Sequence, residues 1–127
     1  TRSWDATRVD SSLLQKADRV LVDAPCSGLG VVRRKPEIKY KEYSMEMERL
    51  PKKQLAILSA SSSYVKPGGT LLYSTCTVNP EENEEVVEAF LRKNPSFEKK
   101  EKLLLLPQVD GTDGFFICVM KRSESLI

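Results

Sequence analysis

The stretch that decides the fold is Arg19-Val20-Leu21-Val22-Asp23-Ala24-Pro25-Cys26-Ser27-Gly28. Val20, Leu21 and Val22 are consecutive and apolar, the pattern of a strand in a sheet covered on both faces, so Asp18 to Val22 is read as a strand. The run stops at an acid, a proline and a cysteine. Pro25 fixes the direction of the chain, and Ser27-Gly28 permits a tight turn. Open α/β sheets present reactive groups in this way, just past the carboxyl ends of their strands. About fifty residues on, Leu71-Leu72-Tyr73-Ser74-Thr75-Cys76-Thr77 repeats the pattern, with a strand over Thr70 to Thr75. Ser44 to Val65 between them reads as helical, with Pro51 as the first residue of a new helix and Leu55, Leu58, Ser62 and Val65 near one face. Lys66-Pro67-Gly68-Gly69 is expected to stop that helix. Strand–helix–strand implies a right-handed parallel crossover, which makes the two strand ends neighbours.

Working outward, Ser11 to Gln15 reads as a short helical turn. Ser27 to Tyr40 reads as a loop carrying a basic segment. Asn79-Pro80-Glu81-Glu82 is a helix start, with Asn79 as cap, Pro80 at the first position and glutamates at the positive end of the dipole. Val86, Val87, Phe90 and Leu91 form its buried face, and Asn94-Pro95 ends it. Ser96 to Lys100 reads as a strand. Leu103 to Leu106 is a leucine run that needs burial. Asp110 to Gly114 forms a turn, and Phe115 to Met120 a final strand.

The chain has 127 residues, enough for one domain, with 40% hydrophobic and 30% charged content and a net charge of +2. It contains no apolar run of about 18 residues, so no membrane span or membrane partner is expected. It opens on Thr1 without a signal-like segment, which reads as a piece of a longer protein. Its three cysteines, Cys26, Cys76 and Cys118, are an odd and widely spaced set, which favours a reducing, cytoplasmic setting. Histidine is absent, which removes imidazole ligands and Cys-His dyads from within the chain, and no metal site is expected.

Cys76 follows a strand and precedes a helix start, a position that lowers a thiol pKa and favours the nucleophilic thiolate. The plainer reading is a small buried hydrophobe. Cys26 is a second thiol in the same cleft or a cysteine in a turn. Two cysteines at successive parallel strand ends are a more specific signal than either alone. Asp23 is a turn former, or a carboxylate that accepts from an exocyclic amine as acids do with cytosine. Asp5 could equally be a plain turn residue, and Cys118 belongs to the core. Arg33-Arg34-Lys35, with Lys39, Tyr40 and Lys41 nearby and Lys52 and Lys53 as extensions, is a solvated face or a phosphate-holding patch.

Asp23-Ala24-Pro25-Cys26-Ser27-Gly28, Tyr73-Ser74-Thr75-Cys76-Thr77 and Asn79-Pro80-Glu81-Glu82-Asn83-Glu84 together resemble the Sun (Nop/Nol) family of RNA cytosine carbon-5 methyltransferases. Gly30 to Tyr40 and Asp113-Gly114-Phe115-Phe116 look most like its bacterial, ribosomal-RNA branch. The resemblance covers the chain from about Trp4 to Lys121. It implies the C-terminal part of a Rossmann-like, S-adenosylmethionine-dependent methyltransferase fold, α/β with parallel strands and an antiparallel last strand. The family sheet runs three-two-one, then four-five-seven-six, and this chain would supply the last four strands.

By the same resemblance, Cys76 attacks carbon-6 of a cytosine and carbon-5 takes the methyl group. Cys26 assists release of the adduct, and Asp23 sits near the cofactor and the base edge. Asp23, Ala24 and Pro25 border the cofactor. Asp5, in a Trp-Asp-Ala-Thr setting where the family frequently has glycine in place of Trp4, meets its adenine end. RNA, specifically ribosomal RNA, is the implied partner. Residues 1–127 would be a partial catalytic domain whose glycine-rich cofactor loop precedes them, inactive alone. Its strand Arg19 to Val22 would form an open edge that invites self-association. The competing reading is a non-catalytic α/β module that binds RNA or protein through Arg33 to Lys41. A thiol redox role is disfavoured by the lack of a C-x-x-C pair.

Overall fold

In the computed structural model, residues 3–25, 40–77, 79–105 and 114–124 are described, with the backbone only for 40–48. Four strands and two helices follow in the order β1 (Ala17–Asp23), α1 (Tyr40–Ser62), β2 (Val65–Thr75), α2 (Glu84–Lys93), β3 (Phe97–Leu105) and β4 (Phe115–Arg122). Short 3-10 turns occupy Ser11–Leu13 and Pro80–Glu82. The sheet order is β1-β2-β4-β3. β1 and β2 are parallel, whereas β4 runs antiparallel to both its neighbours, β2 and β3. This is the α/β arrangement with an antiparallel last strand that the sequence implies, and β1 lies at the sheet edge.

The core explains the register. Val22, Leu71, Tyr73, Phe116, Cys118 and Met120 alternate along three strands and pack in one cluster with Ile57 and Leu58 of α1 and Val86, Val87 and Phe90 of α2. Side chains two apart share a face of a strand, so these positions define the face that the helices cover. The intervening positions Leu21, Leu72 and Val119 lie in one cross-strand row on the other face. Leu21 is 66% exposed there. The sheet is therefore covered on one face among the described residues, not on both as the apolar run in β1 suggests.

Several boundaries differ from expectation. α1 continues through Pro51 instead of restarting at it. A proline inside a helix forfeits one backbone bond, at a cost of about 3 kcal/mol. Here the following turns are anchored by buried Gln54, Ile57 and Leu58. Val65 opens β2 instead of closing the helix, because the helix already ends at Ser62. Lys66-Pro67-Gly68-Gly69 is an irregularity within the strand, between the pairs Ala17↔Val65 and Arg19↔Thr70. Gly69 is required at that point: a Cβ would lie 2.8 Å from the Asp18 carbonyl oxygen and 2.9 Å from that of Lys66.

The strand expected over Ser96 to Lys100 runs on to Leu105 and takes in the leucine run. Leu103 and Leu104 are not buried; they are 53% and 39% exposed. β3 is the outer strand with β4 as its neighbour, and Leu103 lies opposite Ile117 on the uncovered face. The helical turn near Ser11, the buried face of α2 and the core position of Cys118 are as expected. The expected loop from Ser27 to Tyr40 lies outside the described residues, apart from Tyr40, which opens α1; so do Leu106 and the turn residues 110–113.

Candidate active site

The parallel pairing sets the two motif-bearing strand ends side by side. Asp23 pairs with Ser74. The Ala24 N–H donates to the Ser74 carbonyl at 2.9 Å, so the ladder runs one residue beyond β1 before Pro25 breaks it. The Ser74 hydroxyl donates to Asp23 Oδ1 at 3.1 Å. Asp23 is exposed and Ala24 is buried. Cys26, Arg33, Arg34 and Lys35 lie outside the described residues.

Cys76 is half-buried at a bend just beyond β2, between Thr75 and Thr77, both fully buried. Thr75 donates its hydroxyl to Asn83 Oδ1. Asn83 Nδ2 donates back to the Thr77 carbonyl at 2.9 Å. The Asn79 N–H donates to Thr77 Oγ1 at 3.2 Å. Asn79 Oδ1 in turn accepts from the Glu81 N–H at 3.1 Å, the cap predicted for this segment. The chain on both sides of Cys76 is thus fixed by side chains no more than seven residues downstream of it.

Glu82 anchors this corner. It is fully buried, and its Oε2 accepts from Asn79 Nδ2 at 2.9 Å and from Thr77 Oγ1 at 3.5 Å. Its Oε1 accepts from Gln54 Nε2 at 3.1 Å, and its backbone carbonyl from the Tyr73 hydroxyl at 2.7 Å. Gln54 Nε2 also donates to the Pro25 carbonyl at 2.8 Å. A carboxylate removed from water needs such donors, since an unpaired buried charge is very costly.

Two sequence expectations change here. The helix start at Asn79 caps a single 3-10 turn, and α2 begins only at Glu84, with Asn83 as its cap residue. The α2 cap residue Asn83 bonds both threonines that flank Cys76, so the start of α2 is tied to that corner. The glutamates of that start also divide: Glu81 is exposed, whereas Glu82 turns inward. Gln54, Thr77, Asn79, Glu82 and Asn83 were not singled out as site residues. A lone amide three and four residues before Ile57 and Leu58, on an otherwise apolar helix face, is the signal that exposes Gln54.

Asp5 occupies a local turn. Its Oδ1 accepts from the Thr7 N–H at 3.0 Å and the Thr7 hydroxyl at 2.6 Å. These hydrogen bonds, the side-chain one first, hold its carboxyl below the usual carboxylate range. The Trp4 indole donates to the Arg8 carbonyl, and Asp10 N–H donates to the Tyr64 hydroxyl, which pins the segment to the turn before β2. Asp5 also lies within electrostatic reach of Lys53 on α1. Among the described residues it shares no hydrogen bond with Asp23, Ala24 or Pro25. Cys118 is fully buried in β4, and burial pushes its thiol up to about 11. No described helix is long and apolar enough to cross a membrane.

Known proteins resemble this arrangement. The probable ribosomal RNA small subunit methyltransferase B of Bacillus subtilis (strain 168) is 45% identical across 85% of this chain and 28% of that protein. The ribosomal RNA small subunit methyltransferase B of Cronobacter sakazakii is 43% identical across 78% of the chain and 25% of that protein. The chain therefore spans about a quarter of the length of these relatives. The crystal structure of PH0851 superposes with a TM-score of 0.81 at 30% identity, over 86% of this chain and 27% of that one. NSun6 from Pyrococcus horikoshii, crystallised with SFG, superposes at 0.67 and 29% identity, over 83% and 30%. Residues 2–121 match the family described as 16S rRNA methyltransferase RsmB/F, and the chain belongs to that family.

Proposed function

We propose that this chain is part of the catalytic domain of an S-adenosylmethionine-dependent enzyme that methylates carbon-5 of a cytosine in ribosomal RNA, with Cys76 as nucleophile. The observation that carries this reading is the β2 corner. A half-buried cysteine stands between two fully buried threonines whose hydroxyls are engaged, two residues beyond Ser74, which pairs with the exposed Asp23. Such a corner holds a partly exposed cysteine in one place, a condition for covalent catalysis on a positioned base. A cysteine needed only for packing would be buried like Cys118.

In this reading the cytosine enters the cleft unstacked from its neighbours. Cys76 Sγ adds to carbon-6, and the electron pair of the 5,6 double bond moves toward carbon-5. S-adenosylmethionine, when bound, supplies the methyl group as an electrophile at carbon-5. The carbon-5 proton then passes to a base, the double bond re-forms and the Sγ–carbon-6 bond breaks. Cys26 assists that release.

The donor set suits the cofactor. Asp5, held ionised by Thr7, is an acceptor fit for an exocyclic amine, and the Asp23 carboxylate is a second exposed acceptor. The Ala24 N–H and Pro25 carbonyl are already engaged, so these residues would border the cofactor through apolar surface. SFG, an S-adenosylmethionine analogue, in the NSun6 crystal supports the same choice. Arg33, Arg34 and Lys35 would hold RNA phosphates. A cytoplasmic location follows from the ribosomal RNA substrate. We also propose that the glycine-rich cofactor loop precedes these residues, so that the 127-residue chain alone transfers little methyl.

The test is methyl transfer to small-subunit ribosomal RNA by the full-length protein. Cys76→Ala should lose activity by at least about a thousandfold. Cys26→Ala should accumulate a covalent RNA adduct. Full activity in Cys76→Ala would refute the reading and favour a binding module.

A further inference from the structure

Asn83 stands at the cap position of α2, where an asparagine side chain ordinarily accepts from a backbone N–H of the first helical turn. Asn79 does this four residues earlier, with its Oδ1 on the Glu81 N–H. Asn83 makes no such side-chain bond. Its amide is turned inward, 2% exposed, and joins the two residues that flank Cys76. Oδ1 accepts from the Thr75 hydroxyl, and Nδ2 donates to the Thr77 carbonyl at 2.9 Å. Helix capping therefore does not account for this asparagine.

The proton directions are determined. The Thr77 carbonyl can only accept, so Nδ2 must face it and Oδ1 must face Thr75. The single Thr75 hydroxyl proton then goes to Oδ1, and the same Thr75 oxygen accepts from the Thr77 N–H at 3.5 Å. That contact is long for an N–H···O bond and weak by itself. The Asn83 bridge is therefore the stronger of these two links across Cys76.

The bridge joins a fixed residue to one beyond the ladder. Thr75 closes β2 and pairs with Phe116 of β4, whereas Thr77 lies past the end of the strand. Asn83 is held at the head of α2 through its own backbone: its N–H donates to the Pro80 carbonyl and its carbonyl accepts from the Val87 N–H, each at 3.1 Å. Asn79 and Glu82 meet the Thr77 hydroxyl, and Asn83 meets the Thr77 backbone. One amide thus ties the chain leaving β2 to both the sheet and the helix, and the residue it spans is Cys76.

We propose that Asn83 is a positioning residue that closes the turn across Cys76 and thereby holds that cysteine in place for attack on the base. This rests on the function proposed above. A reacting group misplaced by about 1 Å loses on the order of a hundredfold in rate, so the bridge acts on the chemical step and not on RNA affinity.

The experiment uses the full-length protein with methyl-labelled S-adenosylmethionine and transcribed small-subunit ribosomal RNA. Wild type is compared with Asn83→Leu, Thr75→Val, Thr75→Ser, the Asn83→Leu/Thr75→Val double variant and Cys76→Ala. Single-turnover methyl transfer is measured per folded protein, and RNA affinity by filter binding. Asn83→Leu should slow transfer by about tenfold or more with RNA affinity within about twofold. Thr75→Val should slow it in the same sense, and Thr75→Ser, which keeps the hydroxyl, should recover most of that loss. Both changes cut one link, so the double variant should lie within about threefold of Asn83→Leu alone. A merely structural role would lower the folded fraction and leave transfer per folded molecule unchanged, which would overturn the proposal. So would additive losses, a loss carried by RNA affinity, or a Thr75→Ser as slow as Thr75→Val. If Asn83→Leu does not fold, the two Thr75 variants decide. Failure of Thr75→Val to fold as well makes the link structural and likewise overturns it. An active Cys76→Ala would instead defeat the underlying function. An inactive Cys76→Ala beside an unimpaired Asn83→Leu would defeat the positioning role alone.

Discussion

The corner after β2 and the bare side of the sheet invert each other. At the corner, polar residues are buried: Thr75, Thr77 and Glu82 have no exposed surface and Asn83 only 2%. On the sheet, apolar residues are exposed, with Leu21 at 66% and Leu103 at 53%. The difference teaches that hydropathy does not decide burial by itself. The corner can be dry because its donors and acceptors satisfy one another, which buried polar groups must do. The bare side lacks a facing layer among the described residues, so its row of branched side chains stays open although β1 reads as a doubly covered strand.

The largest stability effect should come from breaking the corner. Glu82→Leu would leave the Gln54 and Asn79 amides without their acceptor, and should cost about 3 kcal/mol or more in denaturant unfolding of the full-length protein. A loss under about 1 kcal/mol would mean that the corner does not carry the fold. Thr75→Val keeps the shape and removes one donor, so about 1–3 kcal/mol is expected.

Thiol chemistry separates the regions next. Burial raises Cys118 to about 11 from an ordinary 9.0, so it stays protonated at pH 8. Iodoacetamide should modify the half-exposed Cys76 first and Cys118 only on unfolding. The sign for stability follows from the raised value. The contribution of Cys118 is complete below about pH 9 and is lost as pH rises from 9 toward 11. Equal alkylation of both cysteines at pH 8 would contradict the burial of β4.

On the bare side the smallest effect is expected. Leu21→Lys should change the stability of the 127-residue chain by no more than about 0.5 kcal/mol, because the side chain already faces solvent. It should, however, reduce any self-association through the β1 edge, read by sedimentation. A destabilisation of 2 kcal/mol or more in the isolated chain would show that the face is covered by something within it.

Much of this was legible in the residues. The consecutive apolar run before Asp23, its repeat before Cys76 and the capped start at Asn79 locate two strands, whose ends the structure sets side by side. Local patterns suffice there because strands and caps are set by near neighbours. What was not legible depended on contacts far apart in sequence. Gln54 meets Pro25 and Glu82 across separations of 29 and 28 residues. Glu82 looked like a dipole-compensating acid and is the centre of a buried network. Pro51 looked like a helix start, yet the tertiary anchoring of the next turns carries α1 through it. The leucine run looked like core because its strand was expected to have a covered face.

The central claim is that Cys76 carries the covalent bond to the base. The most direct measurement is peptide mapping by mass spectrometry of the adduct trapped in the full-length Cys26→Ala protein with small-subunit ribosomal RNA. The account predicts a cytidine-derived mass on the peptide containing Thr75-Cys76-Thr77 and none on that containing Cys118. An adduct on any other residue, or undiminished methylation by Cys76→Ala, would contradict it.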